Sequence, residues 1–297
     1  MSRDHWHVLG AGAIGCLFAS KLQRAGCPTT VLLRRARTAK SIPVTIDTGD
    51  TRTSVELQLS AATDTNPITF LLVTTKAQDV CTAVQSVAHR LDSSSQVLLL
   101  SNGLGFGNEL RARLPGLDFF CGTTTEGAYR LGDQHIYHAG HGLTRIGHTE
   151  RSTAPAWFSN WAEAIHPSIW DSDIDQSLWL KLAINCAINP LTALHGCCNG
   201  ELAKEPLASH VQTLCNEIMA VSAAAGYAAV TKDLYEQVAE VIRVTKDNRS
   251  SMLQDVTAGR GTEIEYITGH LLRVAKLHGI AVAQNAALYR RIVNLGE

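Results

Sequence analysis

The segment Val8-Leu9-Gly10-Ala11-Gly12-Ala13-Ile14-Gly15 decides the fold of the first half of this chain. It places a G-x-G-x-x-G pattern directly after a short apolar strand and directly before a stretch of helical periodicity. Gly10 permits a tight turn, Gly12 lets the backbone approach a pyrophosphate, and Gly15 lets helix and strand pack closely. The positive end of the helix would face the phosphates. We therefore predict that a dinucleotide binds the six residues of this loop, Gly10, Ala11, Gly12, Ala13, Ile14 and Gly15.

The end of the second strand indicates which dinucleotide binds. An NAD site carries an acidic residue ≈ 20 residues after the loop, where it holds the ribose 2′-hydroxyl. This chain has Arg34-Arg35 there instead, with Arg37 close behind. A carboxylate would repel a 2′-phosphate, whereas a guanidinium binds it through two charge-assisted hydrogen bonds. The sequence therefore favours NADP, with Arg34 at the 2′-phosphate; the alternative is that these arginines lie in a solvated turn.

Strands and helices alternate from the loop to about residue 171, and helices follow almost without interruption. The apolar runs predict strands over 29–33, 68–74 and 96–101, and the spacing of Val80, Val84, Val87 and Leu91 predicts a helix between the last two. We therefore predict an α/β chain. A Rossmann-type doubly wound sheet in residues 1–171 binds NADP, and an all-helical substrate-binding and catalytic domain follows in residues 172–297.

Two further loops follow predicted strands at the edge where such sheets bind ligands. Lys76 follows the strand over 68–74, so its ammonium could reach the phosphate end of a cofactor. Asn102 follows the next strand and offers an amide flanked by glycine. Asn-Gly is also a common turn, so ordinary loop chemistry stays open for both positions.

The most informative segment runs from Leu178 to Leu191. Its only strongly polar side chains are Lys181, Asn185 and Asn189, spaced four and four, which places them on one helix stripe. Such groups are costly to bury without partners, and burial would lower the pKa of the lysine toward neutrality, as suits a general acid. Pro190 predicts a weakened or kinked helix at this point. The alternative is that the lysine reaches solvent and the asparagines cap internal carbonyls.

A second polar tract follows at residues 248–265. Thr262 and Glu265 have the spacing of a capping box, which predicts a helix that begins at Thr262. Glu263 would then lie in the first turn, where the helix dipole favours a carboxylate. A plain N-terminal helix carboxylate is the alternative to a functional Glu263.

Five motifs together make the chain resemble the ketopantoate reductases (2-dehydropantoate 2-reductases). They are G-A-G-A-I-G at Gly10, T-x-K-A at Lys76, S-N-G-x-G at Asn102, K-L-A-I-N-C-A-I-N-P at Lys181, and S-S-M-L-Q-D…T-E-I-E-Y-I-T-G from Ser250. The similarity runs in order along nearly the whole chain, and the last two motifs are the specific ones. Glu265 and Thr268 depart from the family's usual T-E-I-D-x-x-N-G, and Ala283 stands where it often has proline.

The resemblance implies NADPH-dependent reduction of 2-dehydropantoate to (R)-pantoate, a step of pantothenate and coenzyme A synthesis. It implies that Lys181 is the general acid that protonates the ketone oxygen. Asn185 and Asn189 would position the substrate, Ser251 would bind its carboxylate, and Glu263 would accept a hydrogen bond from its terminal hydroxyl.

For the cofactor, the resemblance implies that Arg34 and Lys76 hold the 2′-phosphate of NADPH. Asn102 would lie between nicotinamide and lysine. Three alternatives stay open: a β-hydroxyacid dehydrogenase, a reductase of another 2-keto acid, and a catalytically silent NADP-binding sensor.

The composition excludes several other classes of protein. Of 297 residues, 26 are Lys or Arg and 27 Asp or Glu, so a formal charge of −1 gives no global attraction to nucleic acid or anionic lipid. No apolar stretch approaches the ≈ 20 residues of a membrane span, and no export signal opens the chain. The eight cysteines lack metal-ligand spacing, so we expect reduced thiols, no metal, and a cytoplasmic monomer or homodimer that acts on a small molecule.

Overall fold

The computed structural model describes residues 4–35 and 37–295. The chain forms two compact units. The first contains the residues up to Ser101 together with Phe106–Ile174, and the second contains Asn102–Gly105 together with the residues from Asp175 onward. The short loop Asn102–Gly105 belongs to the second unit, because the backbone N–H of Leu104 donates to the carbonyl of Tyr266 at 2.9 Å.

One mixed sheet organises the first unit, in the order β11-β10-β7-β6-β5-β1-β2-β4-β3-β9-β8. Its central six strands, β7 through β4, are mutually parallel, as expected of a doubly wound sheet. The strands are β1 (Trp6–Leu9), β2 (Thr29–Leu33), β3 (Ser41–Asp47), β4 (Arg52–Ala61), β5 (Phe70–Val73), β6 (Gln96–Leu99), β7 (Asp118–Thr124), β8 (Gly127–Gly132), β9 (His135–Gly140), β10 (Thr144–Gly147) and β11 (Ser168–Trp170).

Helices cover the sheet and close its core. They are α1 (Ala13–Arg24), α2 (Ala77–Val87), α3 (Phe106–Arg113) and α4 (Trp157–Ala164), with a 3-10 turn over Ala88–Arg90. On one face, α1 and α4 pack against β1, where Trp6, Phe18 and Trp161 are fully buried and in ring contact. This aromatic cluster fixes α1 against the strand that precedes the glycine loop.

The second unit contains helices and no strand among its described residues. It contains α5 (Ile174–His195), a 3-10 turn (Asn199–Ala203), α6 (Leu207–Ala224), α7 (Ala228–Thr231), α8 (Leu234–Val244), α9 (Ser251–Thr257), α10 (Thr268–Leu277) and α11 (Ala283–Leu295). Helix α5 contributes Leu182, Cys186 and Leu191 to the core and continues past Pro190. No helix in the described part of the chain is long and apolar enough to cross a membrane.

The predicted α/β class and the strand–helix alternation are confirmed. Strands β2, β5 and β6 and helix α2 lie where the apolar runs placed them. Strands β3, β4 and β7–β11 were not predicted. Strand β4 shows the reason, because more exposed and more buried residues alternate along most of its length and form no continuous apolar run like those that predicted the central strands. All eight cysteines are free thiols, as expected.

The predicted helix start at Thr262 is wrong, because α10 begins at Thr268. Residues 263–267 form a turn instead. The N–H of Ile267 donates to the carbonyl of Glu263, four residues earlier, and the N–H of Gly269 donates to the carbonyl of Ile264, five residues earlier. Glu265 does not complete a capping box. Its carboxylate binds Arg273 and the hydroxyl of Tyr289, so tertiary partners replace the local cap.

Candidate dinucleotide and active sites

The glycine loop has the geometry that its spacing predicted. Gly10 has φ +116°, and a Cβ there would lie 2.6 Å from the backbone N of Thr75. At Gly15 a Cβ would lie 1.9 Å from the carbonyl oxygen of Gly10, so only glycine lets α1 approach β1 this closely. At Gly12 a Cβ would meet nothing within 4 Å. The space in front of Gly12 is therefore open while the turn around it is tightly packed.

A dinucleotide phosphate fits this loop. Gly12 is the N-cap of α1 and supplies no side-chain hydrogen bond, so no cap occupies the first N–H groups of the helix. The N-terminus of a helix favours an anion through these N–H groups and the helix dipole. Beside it, the hydroxyl oxygen of Thr75 is buried without a hydrogen-bond partner among the described residues.

The strand order aligns the other predicted cofactor residues with the loop. Strand β1 lies between β2 and β5 and is parallel to both, so the glycine loop, Arg34 and Lys76 follow neighbouring strands at the same edge of the sheet. The side chain of Arg34 is 82% exposed, and its guanidinium lies 3.7 Å from the carboxylate of Asp79. Lys76 is the N-cap residue of α2. Their role in binding a 2′-phosphate stays a prediction.

A cation that the sequence did not single out lies against the loop. Arg130, on β8, donates from Nη2 to the carbonyl oxygen of Ala11 and from Nη1 to that of Asp133 at 3.1 Å. It also hydrogen-bonds the thiol of Cys16 in the first turn of α1. A lone arginine in a hairpin carries no sequence signal, so only the tertiary structure reveals this position.

In the second unit, α5 carries Lys181, Asn185 and Asn189. Lys181 and Asn185 are half-buried, and Asn189 is buried. Burial lowers the pKa of Lys181 to about 8, and the negative charge of Glu263 opposes that shift. An ammonium with this pKa exchanges its proton near neutral pH, as a general acid must.

Glu263 is buried and receives a hydrogen bond from Asn102 Nδ2 to Oε2 at 3.1 Å. Gly103 explains how the two come together: it has φ +78°, and a Cβ there would lie 2.6 Å from the carbonyl oxygen of Tyr266. The Asn-Gly pair is thus more than a surface turn, because its glycine permits close packing on residues 263–266. Lys181, Glu263 and Asn102 form one polar group within the second unit.

The two serines of the polar tract differ in their surroundings. Ser250 is buried, caps α9 by accepting from Leu253 N at 3.0 Å, and accepts a hydrogen bond from Thr192 of α5 at 2.7 Å. Ser251 is the first residue of α9 and is exposed. Ser250 therefore holds α9 against α5, while Ser251 has the hydroxyl that is open to a ligand.

A second polar cluster joins α1 to the strands after it. The carboxylate of Glu126 binds Lys21 of α1 and His138 of β9. Although burial alone would raise the pKa of Glu126, these hydrogen bonds lower it overall. Glu126, His138 and His141 have donor atoms within 4.8 Å of one another, which the sequence spacing did not indicate. The Lys21 ammonium already neutralises this carboxylate, so the cluster acts as an ion-pair anchor.

Two models of one protein family match this chain, one over its N-terminal part and one over its C-terminal part. The sequence model of the family "Ketopantoate reductase PanE/ApbA" matches residues 6–151, and "Ketopantoate reductase PanE/ApbA C terminal" matches residues 173–295. A 2-dehydropantoate 2-reductase of Yersinia pestis is 38% identical over 291 residues, covering 96% of this chain and 93% of that protein.

Solved structures give the same fold. The probable 2-dehydropantoate 2-reductase of Bacillus subtilis aligns with a TM-score of 0.82 and 27% identity, over 98% of this chain and 99% of that one. D-mandelate dehydrogenase, solved with NADH and anilino(oxo)acetate, aligns with a TM-score of 0.90 at 20% identity, over 98% of both chains. The latter likeness concerns the fold alone.

Proposed function

This chain belongs to the ketopantoate reductase family, and we propose that it reduces 2-dehydropantoate to (R)-pantoate with NADPH, a step of pantothenate and coenzyme A synthesis. The observation that carries the proposal is the polar group of the second unit, in which Asn102 donates to the buried Glu263 at 3.1 Å and the charge of Glu263 acts on Lys181. The relatives supply the substrate class, and the polar group supplies the acid that a ketone reduction requires.

When bound, the nicotinamide would supply a hydride to the keto carbon of the substrate. Lys181 would give its Nζ proton to the keto oxygen as negative charge develops there. Because burial lowers its pKa, the ammonium yields the proton more readily than a lysine in water. The same positive charge stabilises the developing alkoxide before transfer is complete.

Three groups near the lysine would position the substrate. Glu263 would accept a hydrogen bond from the terminal hydroxyl while its charge keeps Lys181 protonated at neutral pH. Asn102 would hold that carboxylate in place through its hydrogen bond. Asn185 and Asn189 share the α5 stripe with the lysine and would orient the keto acid, and Ser251 would bind its carboxylate.

For the cofactor, the glycine loop would bind the pyrophosphate, while Arg34 and Lys76 would hold the 2′-phosphate. No carboxylate stands at the end of β2 to select a free 2′-hydroxyl, which supports NADPH over NADH. A cytoplasmic location and a monomeric or homodimeric state stay predictions from the sequence.

The direct test is the loss of NADPH absorbance with a panel of 2-keto acids. We expect the highest kcat/KM with 2-dehydropantoate, and lower values with other 2-keto acids. Faster oxidation of 3-hydroxy acids would identify a β-hydroxyacid dehydrogenase. NADPH binding without turnover of any substrate would identify a sensor.

A further inference from the structure

We propose that Arg130 binds the pyrophosphate of the dinucleotide and so sets the affinity for NADPH and NADH alike, separately from the choice between them. The inference rests on the proposed function only in assuming a dinucleotide cofactor. It adds a residue from β8, far along the sequence from the glycine loop, to the phosphate-binding group.

The position of the guanidinium supports this role. Its bonds to the carbonyl of Ala11 and the thiol of Cys16 place it beside the second residue of the loop and the first turn of α1. These are the residues whose N–H groups bind a pyrophosphate in a glycine loop of this type. A guanidinium has five N–H donors, so the bonds that fix Arg130 leave donors for phosphate oxygens.

The charges around the loop also support a role of Arg130 in binding the pyrophosphate. Among the described residues, no carboxylate lies within ion-pair distance of Arg130, and its hydrogen bonds to neutral groups leave its charge uncompensated. The helix N-terminus adds only about half a positive charge, whereas a pyrophosphate carries about two negative ones. Arg34, by contrast, has Asp79 nearby and follows a different strand.

Arg130 is held in place before any ligand binds. Its Nη1 donates to the carbonyl of Asp133 in the β8–β9 turn, and β8 pairs with β9 through Arg130 and Ile136. Because the side chain is already ordered, little conformational entropy is lost when it binds phosphate. The hairpin is anchored to α1 a second time by the Glu126–Lys21 ion pair.

The test measures ligand binding by direct titration, without turnover. Arg130→Gln should raise the Kd for NADPH and for NADH by the same factor, about tenfold or more. It should leave the Kd of 2′-AMP unchanged, because 2′-AMP has the 2′-phosphate and no pyrophosphate. Arg34→Gln should give the reverse pattern: the Kd should rise for NADPH and for 2′-AMP and stay unchanged for NADH.

Two further variants separate charge from structure. Arg24→Gln removes the same charge from the opposite end of α1 and should change no Kd. Arg130→Lys should retain part of the affinity for both dinucleotides. The difference in Kd between wild type and Arg130→Gln should become smaller as the salt concentration is raised. Wild-type affinity for both dinucleotides in Arg130→Gln, or equal weakening of 2′-AMP, would overturn the inference. Tight NADPH binding without reduction of 2-dehydropantoate would refute the proposed function and leave this inference standing.

Discussion

At the scale of single residues, the chemistry depends on Lys181 and the charge beside it. Lys181→Ala should lower kcat by roughly 10²–10⁴-fold while the Kd for NADPH stays near its wild-type value, because it removes the proton donor and no cofactor ligand. Steady-state kinetics with a parallel binding titration measures both quantities. A variant with near wild-type kcat would remove the lysine from the mechanism.

The pH dependence of reduction follows from the same group. The donor must be protonated, so kcat should be high below the lysine pKa of about 8 and fall as pH rises through it. Glu263→Gln removes the negative charge that raises this pKa, so the fall should move to lower pH. A pH–kcat profile of both proteins tests this. An unchanged profile in Glu263→Gln would show that the charge of Glu263 does not raise the pKa of Lys181.

Arg34 is the residue predicted to choose between the two nicotinamide cofactors. Arg34→Ala should raise the KM for NADPH by about tenfold or more, equivalent to ~1.4 kcal/mol, and leave the KM for NADH nearly unchanged. The exposure of the guanidinium keeps it available to a 2′-phosphate. Equal losses for both cofactors would contradict the assignment.

At the scale of elements, two glycines of the loop should fail in different ways when replaced by alanine. Gly15→Ala puts a Cβ 1.9 Å from the carbonyl of Gly10, so α1 must shift away from β1 and the thermal midpoint should fall by several degrees. Gly12→Ala meets no protein atom within 4 Å and has φ −72°, so the fold should tolerate it. Gly12→Ala should nevertheless weaken the binding of NADPH, because the methyl group fills the open space in front of the loop.

Thermal melts and NADPH titrations of both variants test this pair. Gly12→Ala with unchanged affinity would show that the open space does not receive the cofactor. Gly15→Ala with an unchanged melt would show that the β1–α1 contact is more compliant than its geometry indicates.

Elements whose periodicity is strong were predicted well, and those whose ends depend on partners were not. The segment around Lys181 is helical as predicted because its apolar residues, among them Leu182, Cys186 and Leu191, pack into the core of the second unit. The predicted helix start at Thr262 was wrong because the carboxylate of Glu265 forms an ion pair with Arg273 instead of a local cap. Local patterns cannot reveal a partner that only folding brings close.

At the scale of the whole molecule, the charge of the half-buried Lys181 should lower stability at neutral pH. The pKa of Lys181 falls from 10.5 to about 8 on folding, so the folded protein binds fewer protons than the unfolded chain between these values. Stability is therefore reduced by the full amount below pH 8 and recovers as pH rises toward 10.5. Lys181→Met should raise the free energy of unfolding at pH 7 by about 1–3 kcal/mol, allowing for partial solvent screening.

The urea midpoint measured at pH 7 and again near pH 10 tests this expectation. The difference between Lys181→Met and wild type should shrink at the higher pH. A variant less stable than wild type at both values would show that the ammonium contributes contacts worth more than its desolvation costs.

The sequence by itself determined the α/β class, the glycine loop, the absence of a carboxylate after β2 and the polar stripe on α5. Each of these is a local pattern, set by the periodicity of strands and helices and by the steric freedom of glycine. Only the tertiary structure decided that Asn102 donates to Glu263, that Ser250 rather than Ser251 is the buried cap, and that Arg130 lies over the loop. Those contacts join residues distant in sequence, and no local periodicity encodes which distant side chains packing will bring together.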